Sequence, residues 1–113
     1  MADILVVDDD ESIRYALRMY LEDDGHHIAE AENGKQGVRF LEKNRVDLVI
    51  TDILMPEQDG LEMIRIVRKE HPQIRIIAMS AGGMVGPLDY LSMAKGLGAN
   101  RTLSKPFKCG QMV

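Results

Sequence analysis

Short, wholly apolar runs alternate along this chain with longer segments whose apolar residues recur at helical spacing. The strongest runs are brief and rich in β-branched residues, which predicts strands buried on both faces of a sheet. They are Ile4–Val7, Leu48–Ile50 and Ile74–Met79. Two weaker strand segments are His27–Ala29 and Arg101–Leu103. This alternation restricts the chain to a layered α/β arrangement.

Amphipathic segments between the runs predict helices. They are Glu11–Asp24, Gly34–Lys43, a segment that begins at Asp59-Gly60 and ends before His71-Pro72, and Pro87–Lys95. Gly25 is expected to end the first helix. Strands joined through helices form right-handed crossovers and a parallel sheet. The predicted fold is one α/β domain over residues 1–113, with a doubly wound, five-stranded parallel sheet and a shortened final helix over Phe107–Val113.

The composition is that of a folded globular domain, with 45% hydrophobic residues, 28% charged residues and a net charge of -4. No long basic run is present, so this domain by itself is not expected to bind nucleic acid. No apolar stretch approaches the ~20 residues of a membrane helix, and no basic leader precedes the first strand. The single cysteine, Cys109, cannot form an internal disulfide. These features predict a cytoplasmic protein without membrane contact.

Polar residues follow several predicted strands at the point where each strand ends. They are Asp8, Asp9 and Asp10 after the first run, Thr51 and Asp52 after the third, Ser80 after the fourth and Lys105 after the fifth. Ligands of open parallel sheets bind at the carboxyl ends of the strands. One edge of the sheet is therefore predicted to collect carboxylates, a hydroxyl group and an ammonium group.

These acids argue against a nucleotide site, the commonest site of such a sheet. A nucleotide site needs a Gly-rich turn after the first strand, whereas Asp8-Asp9-Asp10 would repel a bare phosphate. Clustered carboxylates instead suit Mg²⁺, which prefers carboxylate and water oxygens and can neutralise phosphoryl oxygens. Lys105 and Ser80 would then contact the phosphoryl oxygens that the metal leaves uncovered.

A carboxylate can also attack phosphorus and form an acyl phosphate. Asp52 stands alone at the end of an apolar strand, while Asp8 and Asp9 are paired and better placed as metal ligands. Asp52 is therefore the favoured nucleophile, although these residues alone do not make the choice unique. Asp10 is expected to cap the first helix rather than to bind metal.

The whole set of motifs, in this order, resembles the receiver domain of two-component response regulators, a flavodoxin/CheY-like fold. The matching stretches are Ile4–Asp10, Asp52–Pro56, Asp59-Gly60, Met79–Ala81, Gly98-Ala99 and Lys105–Phe107. The resemblance spans nearly the whole chain. It implies Mg²⁺ as the cofactor, a sensor histidine kinase or phosphotransfer protein as the partner, and no turnover of a metabolite.

The resemblance also implies roles for matching positions. Asp52 is expected to accept the phosphoryl group, Asp9 to bind Mg²⁺ directly and Asp8 to act largely through water. The backbone carbonyl of Leu54 would complete the protein ligands.

Ser80 is similar to the family's switch hydroxyl, which moves to the phosphoryl group, and Lys105 to its cationic partner. The Lys105–Pro106 peptide bond is expected to be cis by the same resemblance. Three features depart from the family pattern, and the short chain end described below is one of them. Thr102 stands where the family usually has Tyr or Phe, so the usual aromatic coupling is not expected to operate. Gly82–Gly86 lengthens a loop, which predicts a different output surface.

The chain offers only Phe107–Val113 where the family has a full final helix. A short helix would leave apolar surface uncovered, which favours association into a homodimer. The alternative, that the chain is part of a longer protein, stays open.

Two other functions compete with the active receiver. A receiver-like interaction module, not controlled by phosphorylation, is favoured by Thr102 and the short end but opposed by the intact acids. A hydrolase similar to haloacid dehalogenase-like phosphatases would need a second acid two residues after its nucleophile. Leu54 occupies that position, and without a proton-transfer group multiple turnover is not expected.

Overall fold

The computed structural model describes residues 2–52, 60–80 and 98–104, and it describes the backbone alone for Ser80 and residues 101–104. In this part of the chain strands and helices alternate as predicted. The strands are β1 (Asp3–Val7), β2 (His27–Ala31), β3 (Leu48–Asp52), β4 (Arg75–Ser80) and β5 (Arg101–Ser104). The helices are α1 (Glu11–Asp23), α2 (Gly34–Lys43) and α3 (Gly60–Glu70).

The five strands form one parallel sheet in the order β2-β1-β3-β4-β5. Strand β1 pairs with β2 on one side and with β3 on the other, so the strand order reverses direction at β1. This reversal confirms the predicted doubly wound fold, and it opens a crevice at the carboxyl ends of β1 and β3. The predicted helix Pro87–Lys95 and the shortened final helix lie outside the described residues.

Both faces of the sheet carry an apolar core, which explains the unbroken apolar runs within its central strands. In β1 the side chains of Leu5 and Val7 pack on the face covered by α2 and α3. Ile4 and Val6 alternate with them and pack on the opposite face, against α1. All four are at most 3% exposed. Successive side chains of a strand point to opposite faces, so burial on both sides requires an unbroken apolar run.

Helix α1 begins and ends where capping chemistry predicts. The side chain of Asp10 accepts a hydrogen bond from the backbone N–H of Ser12 at 2.9 Å, which confirms Asp10 as the N-cap. Gly25 has a φ of +94°, a left-handed conformation that glycine adopts without steric cost. The N–H of His26 then bonds to the carbonyl of Leu21 at 3.1 Å and closes the last turn. Asp24 is the C-cap rather than the last helical residue.

The predicted strand bounds differ from the observed ones by one or two residues. Strand β3 extends through Thr51 and Asp52, because their backbones continue the pairing with β4. The fourth strand begins at Arg75 instead of Ile74, since the N–H of Ile74 is used in a turn to the carbonyl of His71. Within the described ranges, no helix is both long and apolar enough to span a membrane.

Candidate metal and phosphoacceptor site

The crevice at the reversal of strand order brings together the ends of β1 and β3. Val7 is in register with Thr51, so Asp8, the next residue, lies beside Asp52 at the end of β3. Thr51 is fully buried, and its hydroxyl donates to the backbone carbonyl of Asp52 at 2.9 Å. Two acids that are 44 positions apart in the sequence therefore meet because their strands are parallel neighbours.

Three carboxylates form a cluster at this edge. One oxygen each from Asp8, Asp9 and Asp52 lies within 4.8 Å of the others. Asp8 is fully buried and Asp52 is 7% exposed, whereas Asp9 is exposed. Like charges at this distance repel, and burial strengthens the repulsion because the surrounding dielectric is low. A hard divalent cation fits this all-oxygen donor set and offsets the repulsion.

The position of Asp8 is fixed by its neighbours. Its backbone N–H donates to the carbonyl of Ala31 at the end of β2, at 3.1 Å. One of its carboxylate oxygens accepts from the N–H of Asp10 at 2.9 Å. Its backbone carbonyl accepts from Nη1 of Arg14 at 2.6 Å. The strand and helix contacts therefore fix the main chain at Asp8, and the loop contact orients its carboxylate.

Arg14 was not among the residues singled out from the sequence. It occupies the second turn of α1, and its Nε donates to a carboxylate oxygen of Glu30 in β2 at 2.9 Å. Its side chain is only 11% exposed. An arginine on the polar side of an amphipathic helix looks like a solvated residue, and Glu30 lies 16 positions away, so the sequence carries no signal that pairs them.

The other predicted site residues fall in two groups. Ser80 is the last residue of β4 and directly follows Met79, whose backbone is in register with Asp52. Ser80 is itself in register with Ser104, the last residue of β5, and Lys105 is the next residue in the sequence. Leu54, Lys105 and Pro106 lie outside the described residues.

Comparison with known proteins identifies the family to which this fold and acidic cluster belong. A family model described as the response regulator receiver domain matches residues 4–113. The chain is 36% identical over 104 residues to sporulation initiation phosphotransferase F of Bacillus subtilis, covering 92% of this chain and 82% of that protein. It is 38% identical over 112 residues to the DNA-binding transcriptional regulator NtrC of Azospirillum brasilense, covering 99% of this chain and 23% of that protein.

Among solved structures, the chain resembles the response regulator protein TrrA from Thermotoga maritima in complex with Mg²⁺-BeF. The TM-score is 0.87 with 34% sequence identity, and the alignment covers 99% of this chain and 93% of that one. The fold and the acidic edge thus define a phosphoacceptor-type α/β signalling domain. The chain belongs to the response regulator receiver domain family, whose members act in two-component signalling. No metabolic enzyme family is indicated, and the hydrolase hypothesis gains no support.

Proposed function

We propose that this domain accepts a phosphoryl group on Asp52 from a phosphohistidine of a partner protein, in a reaction that needs Mg²⁺. The observation that carries the proposal is the placement of Asp52. Asp52 is the last residue of the buried strand β3. One of its carboxylate oxygens lies within 4.8 Å of a carboxylate oxygen of Asp8 and of Asp9. A nucleophile in this position can receive phosphorus while its neighbours hold the cation.

The residues that would hold Mg²⁺ are Asp8, Asp9 and Asp52, together with the backbone carbonyl of Leu54. When bound, the cation would supply the positive charge that phosphoryl oxygens require in transfer. All-oxygen coordination matches the preference of Mg²⁺, and two of the three carboxylates are buried, which limits competition from bulk water.

The transfer itself exchanges one bond for another. A carboxylate oxygen of Asp52 attacks phosphorus, the new O–P bond forms, and the N–P bond of the phosphohistidine breaks. The imidazole leaves with the electron pair and takes up a proton. We assign Lys105 to charge neutralisation of a phosphoryl oxygen and Ser80 to a hydrogen bond with another, as a hydroxyl and an ammonium group permit.

The proposal also covers the partner proteins and the cellular compartment. A sensor histidine kinase or a phosphotransfer protein would donate the phosphoryl group, and a homodimer is a further prediction. Residues 1–113 are proposed to act as one receiver domain in the cytoplasm, where the single Cys109 stays reduced. The chain spans 23% of the NtrC relative, so output through other segments of a longer protein is consistent with the proposal.

The test is phosphorylation of the chain by acetyl phosphate, with and without Mg²⁺, followed by intact-mass measurement. We expect one phosphoryl addition that requires Mg²⁺ and disappears in Asp52→Asn. Asp23→Asn is the matched control, because it makes the same change at an exposed residue at the end of α1.

An addition that persists in Asp52→Asn, or that is equally fast without Mg²⁺, would contradict the proposal. Partner binding, measured before and after the same acetyl phosphate treatment, separates the two signalling hypotheses. An interaction module would bind its partner equally well before and after treatment, whereas an active receiver changes its partner affinity only when Asp52 is present. The intact acidic cluster favours the active receiver.

A further inference from the structure

Arg14 joins the acidic site to the edge strand of the sheet. Its Nη1 donates to the backbone carbonyl of Asp8 at 2.6 Å, and its Nε donates to Glu30 at 2.9 Å. The two acceptors belong to different elements, since Asp8 follows β1 and Glu30 lies in β2. The guanidinium group therefore bridges the loop that carries the predicted metal ligands to a fixed point on the neighbouring strand.

The bridge is suited to holding the loop rigidly. A guanidinium group is planar, and its donors point in fixed directions, so two simultaneous hydrogen bonds define its orientation. The side chain is 11% exposed, which limits exchange of these bonds with water. The carboxylate of Glu30 offsets only part of the charge of Arg14, because it also pairs with Arg18.

We propose that Arg14 is a positioning residue, which acts through the main chain of Asp8 to hold the metal ligands in binding geometry. The inference rests on the proposed Mg²⁺ site and adds a residue to it. Residues that orient metal ligands without touching the metal commonly change affinity by about ten- to a hundredfold when replaced. Arg14 makes no contact with the phosphoryl group in this proposal.

A purely electrostatic role for Arg14 predicts the opposite result. A cation next to a cation site opposes metal binding, so removal of its charge would tighten Mg²⁺ binding. Loss of positioning would weaken it. The direction of the change in the dissociation constant therefore decides between the two roles.

Arg18 provides the matched control. It lies one helical turn further along α1, contacts Glu30 at 2.8 Å and donates to a backbone carbonyl at 3.0 Å. That carbonyl belongs to Ile28 instead of Asp8. Replacement of Arg18 by Gln thus removes the same charge and the same kinds of contact between α1 and β2, but leaves the contact to Asp8 in place.

The experiment is calorimetric titration of the full chain with Mg²⁺ in the wild type and in Arg14→Gln, Arg14→Lys and Arg18→Gln. We expect the dissociation constant to rise about tenfold in Arg14→Gln and at least about threefold in Arg14→Lys, with Arg18→Gln within about twofold of the wild type. Arg14→Lys keeps the charge and is the milder change, so it preserves the test if Arg14→Gln does not fold.

Kinetics supply a second measurement. Phosphorylation by acetyl phosphate should need more Mg²⁺ in the Arg14 variants, but it should reach the wild-type rate once Mg²⁺ is saturating. Unchanged or tighter Mg²⁺ binding in both Arg14 variants overturns the inference, as does equal weakening in Arg18→Gln. A wild type that binds no Mg²⁺ overturns the proposed function as well, which distinguishes the two failures.

Discussion

Arg68, near the end of α3, donates to the backbone carbonyl of Gly98 through both Nε and Nη2, at 3.1 and 2.9 Å. Nη2 also contacts the side-chain oxygen of Asn100, and Nη1 donates to the carbonyls of Pro72 and Ile74. One guanidinium group therefore joins the end of α3, the turn before β4 and the segment that leads into β5. This arrangement sets the start of the strand after which Lys105 follows.

Replacement of Arg68 by Ala should destabilise the domain by about 3 kcal/mol, because several carbonyls lose a charged donor at once. Urea denaturation followed by circular dichroism measures the change. Arg65→Ala is the control: Arg65 lies one turn earlier, is exposed, and forms its ion pair with Glu62. Hydrogen bonding from Arg65 lowers the pKa of Glu62, but an exposed pair contributes little to folding. Equal losses in the two variants would contradict the structural role of Arg68.

Gly98 and Gly25 both have a positive φ, of +127° and +94°, but their surroundings differ. A Cβ atom on Gly98 would lie 2.8 Å from Cγ of Arg68, whereas one on Gly25 would meet nothing within 4 Å. We expect Gly25→Ala to cost about 1 kcal/mol for backbone strain alone, and Gly98→Ala to cost clearly more. Urea denaturation of both variants checks the order.

The excess cost of Gly98→Ala should shrink in an Arg68→Ala background, because part of the crowding side chain is then absent. A coupling of about 1 kcal/mol between the two changes is expected for residues in direct contact. Strict additivity in this double-mutant cycle would show that the Arg68 contact does not determine the cost.

Asp10 should be a helix cap without a part in metal binding. Asp10→Ala removes the acceptor for the N–H of Ser12 and should cost about 1 kcal/mol of folding stability. Asp10→Asn keeps that acceptor, so it should retain stability, and its Mg²⁺ affinity should stay within about threefold of the wild type because the lost charge is exposed. Calorimetry and urea denaturation of both variants test this. A tenfold loss of Mg²⁺ affinity in Asp10→Asn would instead make Asp10 a ligand.

The sequence predicts the fold and the acidic cluster for the same physical reason. Apolar runs such as Ile4–Val7 alternate with helical segments, and helical crossovers between buried strands make the sheet parallel. A parallel sheet brings the carboxyl ends of its strands to one edge. The proximity of Asp8 and Asp52 can therefore be predicted from the sequence alone. Strand bounds were less predictable, because polar residues such as Thr51 extend a strand when a neighbour pairs with their backbone.

Contacts between distant charged residues could not be predicted in this way. Arg14 and Arg68 look like ordinary polar residues of amphipathic helices, and their acceptors lie in other elements. One of the carbonyls that Arg68 binds, that of Gly98, is 30 positions away. Every residue has a backbone carbonyl, so the pattern of side chains in the sequence does not show which carbonyl an arginine will bind.

Magnesium should stabilise the folded domain by an amount that depends on its concentration. At a hundred times the dissociation constant, binding to the folded state alone adds about 2.7 kcal/mol to the free energy of unfolding. Asp9→Asn should lose most of this gain, because it removes the exposed carboxylate of the cluster. Urea denaturation with and without Mg²⁺ measures both quantities.

The same variant should be more stable than the wild type when Mg²⁺ is removed with a chelator. It takes one negative charge from a group of three carboxylates within 4.8 Å, which relieves repulsion on the order of 1 kcal/mol. Glu42→Gln makes the same charge change at an exposed residue in the last turn of α2, and it should retain the full Mg²⁺ response. We therefore expect Asp9→Asn to be more stable than the wild type without Mg²⁺ and less stable than the wild type with it. This change of order distinguishes loss of a metal ligand from a general loss of folding stability. A variant that is less stable under both conditions would show that Asp9 supports the fold and not the metal site.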